Sequence, residues 1–595
     1  MSLNAQAALG PVRPPRRSQF SLLVRHFLER FFNHETASPD GDAKARLVLI
    51  AFATGLPGFM VALYLWPVYH DLIRFPQDHP TFGVPPPYWL QVNHHLFFVT
   101  YSFVAMGIAT VFEWDLFFPD LLDIFVLRTL PITETRMFLG RVAAIAVLIG
   151  AFLLDANILA TLALPEAVEP LNLVRFVAGH VLAVLGSGLF ASFFILALQG
   201  VLLAILGERI FRKLSLVLQG LSITVLVMLL LLFPVLTGIV PALLESGSRY
   251  ALCFPPFWFL GIYQRAIDGP SALPIYVRLA RIGWTALVLV IGLAVLAYPL
   301  AYLRRVRQMV EGRATRRTRR WLGRPLNWFF HITLVRPPVR RAVFHFISQT
   351  LFRIPRYQIY LVLYGGVGLS VVVASILRFT VAHQRVQMEI SADGFRAATV
   401  IVAFWLIAGM RMAFVSSGNQ RGNWVFRVVH GRPAHFPAFI EELLAANIWV
   451  LAWGEIVTLG FCFALRAIAP PTLQNWRATA AQMLVSGGMC LLLTDIFFLN
   501  VTTVAFTGEP AREPPNLALT VLKYFTFFPV VAWLPIVSEP WIQISVQHIV
   551  IAAGAIAAAH VMLRFRHHEN VRLYSNMPSL EDDEEEFPMK LGLRY

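Results

Sequence analysis

Asp155, His180, Glu455 and Asp495 are ionisable residues set inside long apolar stretches of a 595-residue chain. A charge at the centre of a bilayer costs several kcal/mol unless it faces a partner or water. Each of the four therefore either meets a solute along a path through the membrane or sits hydrogen-bonded, or protonated, against a neighbouring helix. Asp155 follows Pro131 by 24 residues and Glu455 follows Pro433 by 22, so the two acids hold similar places in two parts of the chain. Other chemistry finds little support. There is no GxxxxGK[ST] phosphate loop, no GxSxG nucleophile elbow and no HExxH pair. Cys253, Cys462 and Cys490 are far apart with no CxxC pairing, and the adjacent His94 and His95 point to different sides of a helix at an expected membrane boundary. No metal, cofactor or catalytic residue is expected.

The elements that position these residues are membrane spans. Hydrophobic residues make up 57% of the chain and charged residues 14%, against roughly 25% charged in an average soluble domain. A helix needs about 20 apolar residues to cross the hydrocarbon, and only helices or closed barrels satisfy every backbone group there. Hydropathy places twelve spans near 46–69, 93–112, 141–164, 173–205, 214–244, 280–303, 357–380, 397–416, 436–465, 478–506, 519–536 and 541–563, with "FPPFWFLGIY" at 254–263 a candidate re-entrant segment. The polar, basic N-terminal segment does not resemble a signal peptide, so the first span is expected to stay as an anchor.

Arginine and lysine counts orient the spans. Seven basic residues precede or include Arg46, and fourteen arginines lie between Arg304 and Arg356 with Glu311 the only acid among them. Both segments are expected in the cytoplasm, as are both termini. The organisation expected is a cytoplasmic segment at 1–45, a six-span bundle at 46–303, a basic linker at 304–356, a second six-span bundle at 357–563 and an acidic tail at 564–595. Each half starts on the same side, so a repeat between them is parallel. Ahead of the first span, Phe20, Leu23, Val24, Phe27, Leu28 and Phe31 share one helical face; ahead of the seventh, Phe344, Ile347, Leu351 and Phe352 do the same. Both segments read as helices lying along the inner leaflet.

Between the second and third spans stands "FEWDLFFPDLLDIFVLRTLPITETRMFLGR". Its first part can form a short helix, Pro131 breaks it, and Thr133 can cap the next helix with Glu134 in the first turn. The expected product is an elbow joined directly to a span. "SSGNQRGNWVFRVVHGRPAHF" at 416–436 occupies the corresponding place in the second half, without the Leu-Pro-Ile turn.

Through Leu130, Pro131, Ile132, Thr133, Arg136 and Arg141 the first elbow resembles the cytoplasmic connection of the type-two exporter permeases of ATP-binding-cassette transporters. The resemblance implies an all-α polytopic fold, amphipathic helices at 20–34 and 342–356, and coupling helices at 113–134 and 417–434 that dock on an ATPase. Coupling would then fall to Trp114, Asp120, Asp123, Arg128, Leu130, Pro131, Ile132 and Arg136, with Trp424 and Arg427 in the second half. With no phosphate loop and only four lysines, none preceded by glycine, the chain has no motor of its own. The expected partners are two separate cytoplasmic ATP-binding-cassette ATPase subunits and membrane lipid, without nucleic acid. The expected function is the membrane-spanning permease of an ATP-driven exporter in a prokaryotic plasma membrane, itself not an enzyme. A polytopic lipid or glycan transferase using the intramembrane acids, or an ion-coupled secondary transporter, are the alternatives. The arginines of "GRATRRTRRWLGR" at 312–324 set topology or meet lipid headgroups, and "EDDEEE" at 581–586 reads as a solvated tail.

Overall fold

A computed structural model describes residues 18–33, 43–74, 88–114, 117–119, 125–127, 129–310, 330, 332–333, 335–382, 385–415, 436–469, 474–501, 505–506 and 517–576. The described chain is helical apart from one β-hairpin, and it divides into two compact units, one of residues 1–316 together with 379–387 of the hairpin and the other of residues 317–378 and 388–595. Ten described helices are long and apolar enough to cross a membrane. This is the architecture of a multi-pass helical membrane protein.

The first unit contains α1 (Gln19–Asn33), α2 (Ala43–Arg74), α3 (Tyr88–Phe112), α4 (Glu134–Val168) and α5 (Leu173–Leu231). It continues with α6 (Phe233–Glu245), α7 (Arg249–Leu252), α8 (Pro255–Asp268) and α9 (Pro274–Val310). α1 buries Leu23 and Phe27, at 5% and 4% exposure, while Arg25 and Glu29 pair at 2.6 Å on its open side. The buried pair packs on Gly140 of α4, where a Cβ would come within 3.3 Å of Leu23. α5 holds two spans in one run, Leu173–Gly207 and Leu214–Leu231, hinged at Gly207, whose φ of 72° is a region glycine enters at no steric cost. The fifth span expected at 214–244 therefore stops at Leu231, because Pro234 opens a new helix, α6.

α8 corresponds to the candidate re-entrant segment. Its 14 residues rise about 21 Å at 1.5 Å each, too short to cross. Phe257, Phe259, Leu260, Gly261, Ile262, Tyr263 and Gln264 are buried, and the helix packs on α3, α5 and α9. Gly261 allows the close approach to α9, since a Cβ there would lie 2.6 Å from Leu279 Cβ and 2.8 Å from the Ala280 nitrogen.

The second unit has α10 (Pro338–Arg353), α11 (Pro355–Ile376), α12 (Ala392–Val415), α13 (Phe436–Arg466), α14 (Trp476–Phe498), α15 (Leu517–Gln543) and α16 (Val546–Asn576). Its core joins Phe404, Ile407, Phe414, Trp449, Leu493 and Phe497. The hairpin β1 (Leu377–Ala382) and β2 (Arg385–Ile390) links α11 to α12. The seventh span accordingly ends at Ile376 and not at 380, where β-branched and charged residues alternate in "LRFTVA" and "RVQMEI". The tenth ends at Phe498 and not at 506. On α10 the expected apolar face holds for Phe344, Ile347 and Leu351, all buried, but Phe352 is 39% exposed beside Trp453. α10 is fastened to α13 by the Arg340–Glu441 ion pair and by Trp449 Nε1 donating to Ser348 Oγ at 2.8 Å.

Candidate functional site, a bolted elbow with an open apolar face

The elbow in the first unit begins where α3 stops. Glu113 and Trp114 leave the helix in a turn, Phe117–Pro119 follow as turn and bend, and residues 125–127 form a short helical piece before the Leu130–Pro131 bend. Of the short helix expected over 112–127, the described residues show a turn at Glu113–Trp114 and helix at 125–127. The physical reason is visible in the carbonyls, which are taken by side chains from other helices.

Gln199 of α5 donates to the Trp114 carbonyl at 2.6 Å. Arg141 of α4 donates through Nε to the Phe117 carbonyl at 3.2 Å and through Nη2 to the Phe118 carbonyl at 2.5 Å. The Tyr298 hydroxyl of α9 also donates to the Phe117 carbonyl, at 2.5 Å. Arg141 is only 3% exposed, and its guanidinium carbon lies 5.3 Å from the Phe27 ring of α1. One arginine therefore joins α1, α4 and the elbow. Trp114, 1% exposed, stacks on Phe211 beyond the Gly207 hinge at 6.2 Å with rings 7° apart. Phe117 and Phe118 are equally buried. Hydrogen bonds to a charged donor contribute about 1.5–3 kcal/mol each and neutral ones about 0.5–1.5 kcal/mol, so these contacts tie the elbow to α4, α5 and α9.

Its other face is different. Phe125, Val126 and Leu130 are 61%, 55% and 47% exposed while Leu127 between them is buried. Pro131 is exposed as well. Thr133 then caps α4 as expected, its side chain accepting from the Arg136 nitrogen at 3.4 Å, and Glu134 stands in the first turn. Arg136 is exposed and reaches back to Gln19 of α1 at 3.1 Å. Beside Trp114, the Glu113 carboxyl has a buried oxygen with no hydrogen-bond partner, and burial pushes its pKa up to about 7. Asp120, Asp123, Arg128, Trp424 and Arg427 lie outside the described residues, as does the second elbow at 417–434.

The four intramembrane residues all have partners within their own unit. Asp155 accepts a hydrogen bond from Thr54 of α2, whose carbonyl accepts from Tyr101 of α3, so a carboxylate links three helices. Glu455 hydrogen-bonds the Cys490 thiol of α14 and lies close to Gly487 of the same helix. The two acids share a sequence register but meet different helices. His180 Nδ1 meets the Tyr263 hydroxyl at 3.0 Å in a cluster that includes His95, 4% exposed, bonded to Gln264 at 2.8 Å. His95 is thus enclosed in the bundle and not interfacial, while His94 bonds Tyr69 at 2.8 Å. Asp495, 7% exposed, is held by His560 and by Arg564 at 3.1 Å, both one helical turn apart on α16.

Gln199, Tyr298, His560 and Arg564 are the participants that sequence reading passed over. The signal for Gln199 was present, a lone amide in the apolar run "FFILALQGVLL". Among the described residues no group of three or more histidines, cysteines or acids could hold a metal. Compared with protein families, curated proteins and solved structures, the chain matches none.

Proposed function

We propose that this chain is the permease of an ATP-driven exporter, in which two parallel six-helix bundles are moved by separate cytoplasmic ATPase subunits. α2 and α15 supply the remaining two spans beyond the ten. One observation carries the reading: the elbow at 113–134 is bound by buried side chains of three spans on one face and presents Phe125, Val126 and Leu130 to the surroundings on the other. An exposed apolar patch of this kind beside buried anchors fits a protein docking surface. A push on that face is delivered through Arg141, Gln199 and Tyr298 to α4, α5 and α9, which a loose loop cannot do.

Asp155, His180, Glu455 and Asp495 act in this scheme as joints that keep each bundle rigid during the movement. Replacing Asp155 and Glu455 together, with transport and protein amount measured separately, tests whether they also meet cargo. The experiment for the function itself is reconstitution of the chain with an ATP-binding-cassette ATPase that co-purifies with it. ATP-dependent transport that disappears on Leu130→Glu, with the chain still folded, supports the reading. Full transport by the chain alone, or transport driven by a proton gradient without ATP, overturns it.

A further inference from the structure

Glu539 stands in the apolar run "AWLPIVSEPWIQ" of α15 and is only 2% exposed. Four helix ends of the second unit gather around it. Arg396 is the fifth residue of α12, Arg466 closes α13, Gln482 lies seven residues into α14, and Glu539 comes four residues before the end of α15. The Glu539 carboxylate stands in the field of both Arg396 and Arg466. Cys462, one helical turn before Arg466 and fully buried, lies in reach of Arg466 and Glu539, which sets the carboxylate against α13 as well as α12. Gln482 Nε2 donates to the Phe395 carbonyl at 3.3 Å, next in the chain to Arg396. The wall around these charges is apolar, with Phe395, Leu465 and Ala478 buried and Ala532 and Ile536 of α15 packed on them.

The charged groups are complementary and yet unjoined. Arg396 holds Asp393 through Nη1 at 2.9 Å. Arg466 uses Nη2 for the Asn475 carbonyl, at 3.3 Å, and for the Thr479 hydroxyl. Arg396 Nε, Arg466 Nη1, Gln482 Oε1 and Glu539 Oε1 are all buried with no hydrogen-bond partner. A buried charge left unpaired is costly, and hydrogen-bonded pairing recovers part of that cost. Two of the four atoms belong to donors and two to acceptors, so the set can complete itself. A foreign cation would meet two guanidiniums and a foreign anion the carboxylate, so neither sign of ion suits the whole set. A short movement of α15 does. Pro529, Pro535 and Pro540 lie inside this helix, and each removes a helical hydrogen bond, so its last turns bend more readily than an unbroken helix.

We propose that the end of α15 is a latch, which in a second arrangement of this bundle closes on α12 and α13 with the Glu539 carboxylate bridging Arg396 and Arg466. Opening it costs the bundle these charge-assisted hydrogen bonds, and closing it costs the bend at the prolines. The inference does not rest on the elbow or on an ATPase.

The test uses the full chain in nanodiscs, with Cys253, Cys462 and Cys490 replaced by alanine and spin labels on Trp541→Cys in α15 and Ile468→Cys just beyond α13, both exposed positions. Double electron–electron resonance then reads the distance between the two helix ends. Two distance populations are expected, the shorter being the closed latch. Glu539→Gln is expected to lower the ratio of shorter to longer by at least about tenfold, the factor that one charge-assisted hydrogen bond supplies. Arg396→Gln with Arg466→Gln, which leaves α15 untouched, gives the same loss and keeps the test alive if Glu539→Gln does not fold. A single population with all three charges intact, as a fixed joint bridged by water gives, or a shorter population that survives in either folded variant, overturns the proposal.

Discussion

Arg141→Met is the substitution with the most to say about the elbow. Methionine keeps a long unbranched side chain and removes every donor. The Phe118 carbonyl loses its bond to Nη2, while the Phe117 carbonyl keeps the one from Tyr298. Two charge-assisted bonds at about 1.5–3 kcal/mol each, and a cation–π contact with Phe27, are lost. Relief of a buried guanidinium's desolvation offsets part of this. The net expectation is about 2–4 kcal/mol against opening of the elbow. Hydrogen exchange read by mass spectrometry on peptides covering 113–134 then speeds up roughly 30- to 1,000-fold, at 1.4 kcal/mol per tenfold. Tyr298→Phe alone costs about 1 kcal/mol, because Arg141 still serves Phe117. The two together leave that carbonyl with neither donor, so the double-mutant cycle shows coupling above about 1 kcal/mol. Exchange within threefold of the native protein, or additivity within roughly 0.5 kcal/mol, would refute the bolted elbow.

Glu113 is an acid whose folded pKa is raised by burial to about 7 from 4.5, so its fold contribution is fully present below 4.5 and is lost as pH rises through 7. Thermal stability is expected to fall across that window, and Glu113→Gln to flatten the profile. Gly261→Ala forces a Cβ to within 2.6 Å of Leu279 and 2.8 Å of backbone, and is expected to unfold the α8–α9 contact. Gly150→Ala, with nothing within 4 Å, should be neutral or stabilise by roughly 0.5–1 kcal/mol. Asp495→Asn breaks a buried pair and should cost about 3–5 kcal/mol, partly recovered when Arg564→Met removes the stranded charge; melting temperatures of the purified variants decide both.

Long apolar periods and helix caps were the legible part of this chain. Thr133 could be read as a cap because its hydroxyl acts on its own next turn, and Leu23 with Phe27 because four residues return to the same helical face. Span ends were less legible. The Gly207 hinge lets one helical run hold two spans, and β1, "LRFTVA", follows the seventh span with no proline or glycine to mark where the helix ends. At the site, the Leu-Pro-Ile turn announced the elbow, but Gln199 and Tyr298 act from 85 and 181 residues away, distances at which no local pattern links donor to carbonyl. Asp155 and Glu455 show the same limit: they hold similar places after Pro131 and Pro433, yet one meets Thr54 and the other Cys490, which only packing decides.

A nucleotide-hydrolysing subunit, if it drives this protein, must touch the open face of the elbow. A photo-crosslinking side chain placed at Leu130, 47% exposed on that face, asks this in native membranes. The expected adduct is a protein that binds ATP and is lost when Phe125 and Val126 are also made acidic. An adduct formed only with lipid, or labelling of the same position by an impermeant reagent from outside intact cells, would contradict it.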